Sequence, residues 1–444
     1  MNIERIFDLL PGRTQRNLDK LVDAYAQLGR FRGTALIARD SKILLRKACG
    51  MADESSQLPN TPETRFLIAS LTKTFTAVAI MQLAEQGRLS VDDPLSKYLP
   101  DFPHADRIHL RHLLSNTSGI YDFLLLEDFP QFMTQPHSTA EMIARFSDQP
   151  LVFEPGTQFG YSNSNWILLG AVLETITGLP YDKVICQNIL IPAEMNSSGF
   201  DWEIQPAPAH ATGYTDSQNG LIPAPACHSS VLQAAGAMYS TVDNLLRFDA
   251  ALNNNILLHR ETLLSMWQAE TPGYGYGWEI HKINGRRVVS HSGGMYGFIS
   301  NFVRFVDEAG NSQVTIILLS NDNSAAVPDM TEALAAVTLG LPYEMPSSRT
   351  FVKVDPIVLA AYTGTFQQTI MGRTFMLEFL IEDDQLVMDM RGWTKVPLKP
   401  MSETTFYARA KGEVEMKFVP GPAGRVDAIE MVWAGVQTAA TRVG

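Results

Sequence analysis

The run Phe66-Leu67-Ile68-Ala69-Ser70-Leu71-Thr72-Lys73, continued by Phe75, Ala77, Val78, Ala79, Ile80, Met81, Leu83 and Ala84 up to Gly87, constrains the fold more than any other stretch. So apolar a segment reads as a buried helix, with Ser70 and Lys73 on its first turn. Residues three apart on such a turn share one face. Ser70 would sit where free backbone N–H groups and the positive end of the helix dipole favour developing negative charge. An amine within hydrogen-bonding range completes a candidate nucleophile, because a lysine among apolar neighbours loses solvation and its neutral, proton-accepting form is favoured. The plainer alternative is a helix start with a solvated lysine, since Ser-x-x-Lys arises by chance roughly once in a chain this long.

With 444 residues, 45% of them hydrophobic, the chain can bury a large core and a second, smaller one. Its net charge of −12 excludes the basic face that a nucleic acid or an anionic membrane would need. Cys49, Cys186 and Cys227 are odd in number and far apart, so they carry neither a disulfide framework nor metal-ligand spacing. Residues 1–8 lack the apolar run of a secretory signal, and no later segment is apolar for the length of a membrane span. The expectation is a cytoplasmic protein with no integral membrane segment; a processed periplasmic or secreted form and a homo-oligomer stay open.

Along the chain, Leu18, Leu21, Val22 and Tyr25 recur at helical spacing and predict a helix over about 17–28. Gly33–Arg39 and Lys42–Lys47 read as strands joined by a tight turn at Asp40-Ser41. Short helices, turns and prolines follow the Ser70 helix as far as about residue 285. Strands over 287–291, 298–306 and 313–319 and a helix over 325–339 then close the domain. Strands at both ends with helices between them predict an α+β sandwich around one antiparallel sheet, its edge from the start of the chain and its middle from the end. Residues 341–348 have linker composition, and beyond them short alternating runs, clearest over Glu413–Phe418, are punctuated by a turn at 420–424. That pattern predicts a domain over 1–345 and a small antiparallel β-barrel over 346–444.

Two further constellations carry chemistry. The segment Glu154-Pro155-Gly156-Thr157-Gln158-Phe159-Gly160-Tyr161-Ser162-Asn163-Ser164-Asn165-Trp166 leads through a turn to a tyrosine and an asparagine just before an apolar helix. Tyrosine can relay a proton and asparagine can hold a substrate carbonyl or amide, although Ser164 and Asn165 read better as structural caps. In His291-Ser292-Gly293-Gly294, paired glycines at a strand end admit a substrate backbone and leave an N–H free to point at it; alone, the segment also reads as a simple turn.

Taken together and in order, Ser70-x-x-Lys73, Tyr161-x-Asn163 and His291-x-Gly293 resemble the active-site motifs of the serine β-lactamase and penicillin-binding-protein family. The pattern is nearest class C β-lactamases, D-alanyl-D-alanine carboxypeptidases, D-aminopeptidases and family VIII esterases. Flanking text agrees over about 15–340: 111–119 (RHLLSNTSG), 155–157, 235–241 (AGAMYST) and 274–278 (YGYGW). The resemblance implies a β-lactamase/transpeptidase-like fold and an acyl-enzyme on Ser70, with Lys73 and Tyr161 as the proton relay. It implies an oxyanion hole from the N–H groups of Ser70 and Gly294, with Ser70, Lys73, Tyr161 and His291 as the catalytic residues and Asn163, Ser292, Gly293 and Gly294 as the substrate-binding ones. It implies no cofactor and no metal; His109 and His112 fall in a packing segment. Residues 362–366 (YTGTF) resemble the opening of the lipocalin-like barrel of several relatives.

Two departures bear on substrate. The third motif in β-lactamases usually begins with a lysine that helps hold a substrate carboxylate, whereas His291 has an unperturbed pKa of about 6.5. Asn116 stands where relatives often carry histidine. The expected activity is a peptidase or amidase on small D-amino-acid-containing peptides, of D-aminopeptidase or D-Ala-D-Ala carboxypeptidase type. A carboxylesterase, a weak class C-like β-lactamase, and a non-catalytic penicillin-recognising protein are the alternatives.

Overall fold

A computed structural model describes residues 12–200, 209–217, 220–268, 271, 273–370, 372–389, 395–410, 412–421, 425–433 and 436–443. The reading of residues 1–8 and the turn positions 422–424 lie outside these ranges. The N-terminal helix α1 (Arg13–Gln27) buries Leu18, Leu21, Val22 and Tyr25, the residues its periodicity selects. Strands β1 (Gly33–Arg39) and β2 (Lys42–Cys49) form the expected hairpin. Asp40 and Ser41 both take left-handed φ, 48° and 63°, which matches the twist of the paired strands as an Asn-Gly turn would.

The Ser70 segment enters its helix through a tight turn at Ala69–Leu71 before α2 (Thr72–Glu85), which is buried on nearly every side. A second apolar helix, α3 (Asn163–Thr177), packs beside it. The later strands are β3 (Glu279–Ile283), β4 (Arg286–Met295), β5 (Phe298–Val306) and β6 (Ser312–Ser320), followed by α4 (Val327–Leu339). The sheet order is β3-β4-β5-β6-β1-β2, antiparallel throughout, so the start of the chain does form one edge and its end fills the middle. The edge strand β3 lay inside the stretch read as helices and turns; five residues with two charged side chains gave it no apolar run.

Alternation divides the core between the two faces of the sheet. Leu36, Ala38, Ile317 and Leu319 join α2 and α3 on one side, while Ala35, Ile37, Ile316 and Leu318 join α1 and α4 on the other. The chain therefore forms the expected β-lactamase-like α+β sandwich.

After Leu339, residues 341–355 are irregular. Strands β7 (Gly364–Ile370) and β8 (Arg373–Glu382) then open a nine-strand antiparallel sheet whose end strands, 396–397 and 399–400, are separated by one residue. The sheet so curls until its two edges nearly meet, and Tyr362, Phe366, Phe379, Phe406 and Phe418 fill its interior. Several of its described residues touch the sandwich. Arg409 donates to Asp322 at 2.8 Å and to the Ser324 carbonyl at 3.2 Å, while Glu413 pairs with Arg30. At the β7–β8 turn, Gly372 (φ 71°) lies so close to Phe159 and Gly160 that a Cβ there would come within 2.3 Å of the Phe159 carbonyl oxygen.

Candidate active site

Ser70 follows a strained residue. Ala69 has φ 49°, a left-handed conformation that disfavours any side chain by roughly 1–2 kcal/mol. The neighbours of Ala69 hold it there: Ile68 N–H donates to the Met238 carbonyl at 2.9 Å, and the Ile68 carbonyl accepts from Ser300 Oγ at 2.9 Å. Lys73, one turn on and fully buried, places Nζ 2.9 Å from Ser70 Oγ, 2.8 Å from Asn163 Oδ1 and 2.6 Å from the Ala235 carbonyl. This geometry suits both protonation states. An ammonium donates to all three oxygens, whereas a neutral amine donates to the two carbonyl groups and turns its lone pair to the Ser70 hydroxyl.

Tyr161 Oη lies 3.1 Å from the same Ser70 Oγ. Its loop hangs on Asn116: the Asn116 carbonyl accepts from Gly160 N–H at 2.9 Å, and Oδ1 accepts from Ser162 N–H at 3.2 Å and Asn165 Nδ2 at 3.1 Å. Asn116 has φ 55°, a conformation in which asparagine and histidine are both enriched, so the departure from the relatives' histidine keeps the backbone unchanged. Ser164 and Asn165 do not cap the helix as expected, because they lie inside it and tie it to the 118–121 segment: Ser164 Oγ donates to the Tyr121 carbonyl at 2.7 Å, and Asn165 Oδ1 accepts from Ser118 at 2.6 Å.

Asn163 is committed on both sides of its amide. Its oxygen faces Lys73, while Nδ2 donates to the buried Asp122 carboxylate at 3.2 and 3.3 Å and its backbone N–H to the same carboxylate at 3.1 Å. Asp122 also accepts from Leu124 N–H. The sequence reading missed Asp122, because a single aspartate after Thr-Ser-Gly forms no spacing pattern with the motifs it serves.

Strand β4 closes the other side. A Cβ on Gly293 would fall 2.3 Å from both the Ile68 carbonyl oxygen and Ser300 Oγ, so only glycine lets the strand reach the Ser70 turn. Ser292 N–H points toward β3, where Glu279 Oε1 lies at 3.5 Å. Two residues on, the N–H of Gly294 points the same way, and there β3 has ended, because β3–β4 pairing stops at Glu279 and Ser290. Gly294 N–H thus faces an open strand edge.

His291 is fully buried beneath that edge. Burial pushes its pKa below the usual value and the Lys73 charge adds to this, against the opposing pull of Glu279 and the Ser292 backbone. Tyr274, whose own pKa burial raises well above the usual phenol value, donates to His291 Nε2 at 3.0 Å; Nδ1–H then donates to the Ser292 carbonyl at 2.6 Å. In that neutral tautomer both ring nitrogens are used inside the protein. Tyr274, like Asp122, escaped the sequence reading, since YGYGW served there only as flanking text.

Beside Tyr161 opens a cavity of about 420 Å³, walled by Tyr121, Phe129 and Phe153 from the sandwich and by Thr374, Phe375 and Met376 from β8. His109 and His112 are packing residues: His112 Nδ1 accepts from His109 N–H at 3.2 Å, and burial lowers its pKa to about 4. Among the described residues no group of three or more potential ligands could hold a metal ion. None of their helices is long and apolar enough to cross a membrane.

The family model described as Beta-lactamase matches residues 18–339. A penicillin-binding protein of Bacillus subtilis is 27% identical over 92% of this chain and 94% of its own length. Among solved structures, the penicillin-binding protein from Bacillus halodurans is 28% identical with a TM-score of 0.63, covering 72% of this chain and 98% of that one. A D-stereospecific amidohydrolase from Streptomyces sp. is 27% identical with a TM-score of 0.58, covering 70% and 93%. Three motifs distant in sequence come together around the Ser70 turn within a matched span of that extent, and the chain belongs to the Beta-lactamase family.

Proposed function

We propose that the protein is a serine hydrolase that cleaves small amides, above all those of D-amino acids or short peptides containing them, through an acyl-enzyme on Ser70. The observation that carries this reading is the convergence of Lys73 Nζ and Tyr161 Oη on Ser70 Oγ at 2.9 and 3.1 Å. As Ser70 Oγ bonds to the substrate carbonyl carbon, its proton passes to the Lys73–Tyr161 pair, and the carbonyl oxygen takes up negative charge toward the N–H groups of Ser70 and Gly294. The C–N bond then breaks as Tyr161 returns the proton to the leaving nitrogen. Water attacks the ester, gives a proton to the same pair, and Ser70 Oγ recovers it as the acid departs. Each oxyanion donor of this kind typically contributes about 3 kcal/mol.

The likeness to a D-stereospecific amidohydrolase supports amides as substrates. The neutral, internally satisfied His291 weighs against substrates that need a fixed cation for a terminal carboxylate, and keeps small esters as a second reading. Residues 1–345 are taken as the hydrolase domain and 346–444 as the barrel domain. Incubation with a labelled fluorophosphonate or β-lactam tests the acyl-enzyme: wild type is expected to label and Ser70→Ala not to, and labelling of both or neither overturns it. A panel of D-aminoacyl amides, D-Ala-D-Ala peptides and p-nitrophenyl esters tests the substrate class, and cleavage of the esters alone defeats the amidase reading.

A further inference from the structure

Glu279 stands where the site meets solvent and has no use in the mechanism above. Its carboxylate is half-buried at the start of β3 and accepts from Ser292 Oγ at 3.0 Å, Ser290 Oγ at 3.3 Å and, weakly, Ser292 N–H at 3.5 Å. The groups that donate to it are all uncharged. Ser292 is the exposed hydroxyl of the third motif, the group expected to touch substrate. A protein carboxylate therefore already occupies the hydroxyl that a substrate carboxylate would use, and the first residue of that motif, His291, brings no compensating cation.

The polarity of the site fixes which part of the substrate meets this charge. Tyr161 must return the proton to the leaving group, and its ring lies beside His291, 6.5 Å between centroids, at the Ser292 end of the open edge. The oxyanion donor Gly294 lies two residues, about 7 Å, further along the strand. The leaving group is thus on the Glu279 side and the acyl group on the other. A charge one residue's reach, about 3.5 Å, beyond the scissile bond arrives at the Ser292–Glu279 pair.

We propose that Glu279 and Ser292 form a leaving-group subsite that selects amides whose departing amine carries a second, positively charged nitrogen and rejects those ending in a carboxylate. This rests on the hydrolase reading and sharpens it: the site is that of an amidase for cationic or uncharged leaving amines and not of a carboxypeptidase. Opposite charges a few ångströms apart at a partly shielded site attract strongly enough to rank otherwise matched substrates.

Three D-phenylalanyl amides of nearly equal length test it: those of 1,2-diaminoethane (cationic), propylamine (neutral) and glycine (anionic). Wild type is expected to show kcat/KM in the order cationic, neutral, anionic, with about tenfold or more between the extremes, and raising ionic strength from about 0.01 M to about 1 M should compress that range. Glu279→Gln is expected to bring the three within about threefold of one another. A purely structural Glu279, plugging the strand edge, would instead lower all three equally in the variant, and that result overturns the subsite, as does a wild type without the charge order. The wild-type order and its salt dependence decide the matter even if the variant fails to fold. If Ser70 takes up a fluorophosphonate but none of the three is hydrolysed, the same order is read from their protection of Ser70 against labelling. No turnover together with no labelling overturns the hydrolase reading and the subsite with it, whereas turnover without charge preference overturns the subsite alone.

Discussion

Asp122 holds the Asn163 amide that faces Lys73, and that geometry makes it the residue whose loss tests the proton relay most sharply. The Asn163 amide can take two orientations related by a flip; only one turns Oδ1 to Lys73, 2.8 Å away. Asp122 selects that one, because a carboxylate accepts and so must face the NH₂ end, at 3.2 and 3.3 Å. In Asp122→Ala the amide is released, and in the flipped state Nδ2 would face the Lys73 amine, donor against donor. The bond at risk is charge-assisted when Lys73 is protonated and worth about 1.5–3 kcal/mol. If the relay depends on it, kcat falls by about 10- to 100-fold. Substrate contacts on β4 are untouched, so KM should stay within about threefold. Steady-state kinetics of Asp122→Ala and Asp122→Asn on a D-aminoacyl amide, beside the thermal melting of each, read both quantities. In Asp122→Asn the side-chain oxygen can still accept from Asn163 Nδ2, so part of the rate should return. A fall in melting temperature with kcat unchanged, or a change confined to KM, would falsify the positioning role.

Three other outcomes follow from the same coordinates. Tyr161→Phe removes the hydroxyl 3.1 Å from Ser70 Oγ and should lower kcat by about 10²- to 10⁴-fold, with Ser70 labelling slowed in parallel; unimpaired single-turnover acylation would assign the proton transfer to Lys73 alone. His112, at about 4 in the fold against about 6.5 unfolded, leaves the unfolded chain binding more protons in acid, so its stability contribution is complete above about pH 6.5 and lost as pH falls toward 4. That is at most about 3 kcal/mol, and His112→Gln should flatten the dependence of melting temperature on pH across that window. Gly372→Ala drives a Cβ against the Phe159 carbonyl, next to the loop that carries Tyr161, and should lower kcat on a D-aminoacyl amide by more than its loss of melting temperature accounts for; a lowered melting temperature with kcat kept would show that the turn matters for stability alone.

What the sequence made legible was whatever is local and periodic. Leu18, Leu21, Val22 and Tyr25 announced α1 through their spacing, and the apolar run after Lys73 announced α2, because burial of one face or of all faces leaves a direct trace in residue order. The three motifs were readable for a related reason: each sits on a short backbone feature, a turn, a loop or a glycine pair, with its own composition. Asp122, Tyr274 and Glu279 were not readable, since each acts across the fold on a residue 41, 17 or 13 positions away through one side-chain contact. Asn116 shows the same limit from the other side. Its substitution is interpretable only once φ 55° is known, when asparagine and histidine turn out to answer the same backbone demand.

The barrel poses the question that alternation alone leaves undecided: whether it is an appended module or part of the site. Among the described residues its interior is filled by its own aromatic side chains, as in a small barrel with a packed core. Its contacts with the sandwich are specific. Asp322, fully buried, is paired by Arg409, and separating that pair would leave an uncompensated buried charge, typically a penalty of about 3–5 kcal/mol. Such an anchor fixes the orientation of the barrel far more firmly than a tethering linker would. With orientation fixed, the β7–β8 turn meets the backbone just before Tyr161, and Thr374, Phe375 and Met376 become one wall of the cavity beside it. The cavity of about 420 Å³ beside Tyr161 is therefore built by both parts of the chain. On the proposed hydrolase reading the barrel is part of the site and not a mere appendage, since its β7–β8 turn buttresses the loop that carries Tyr161.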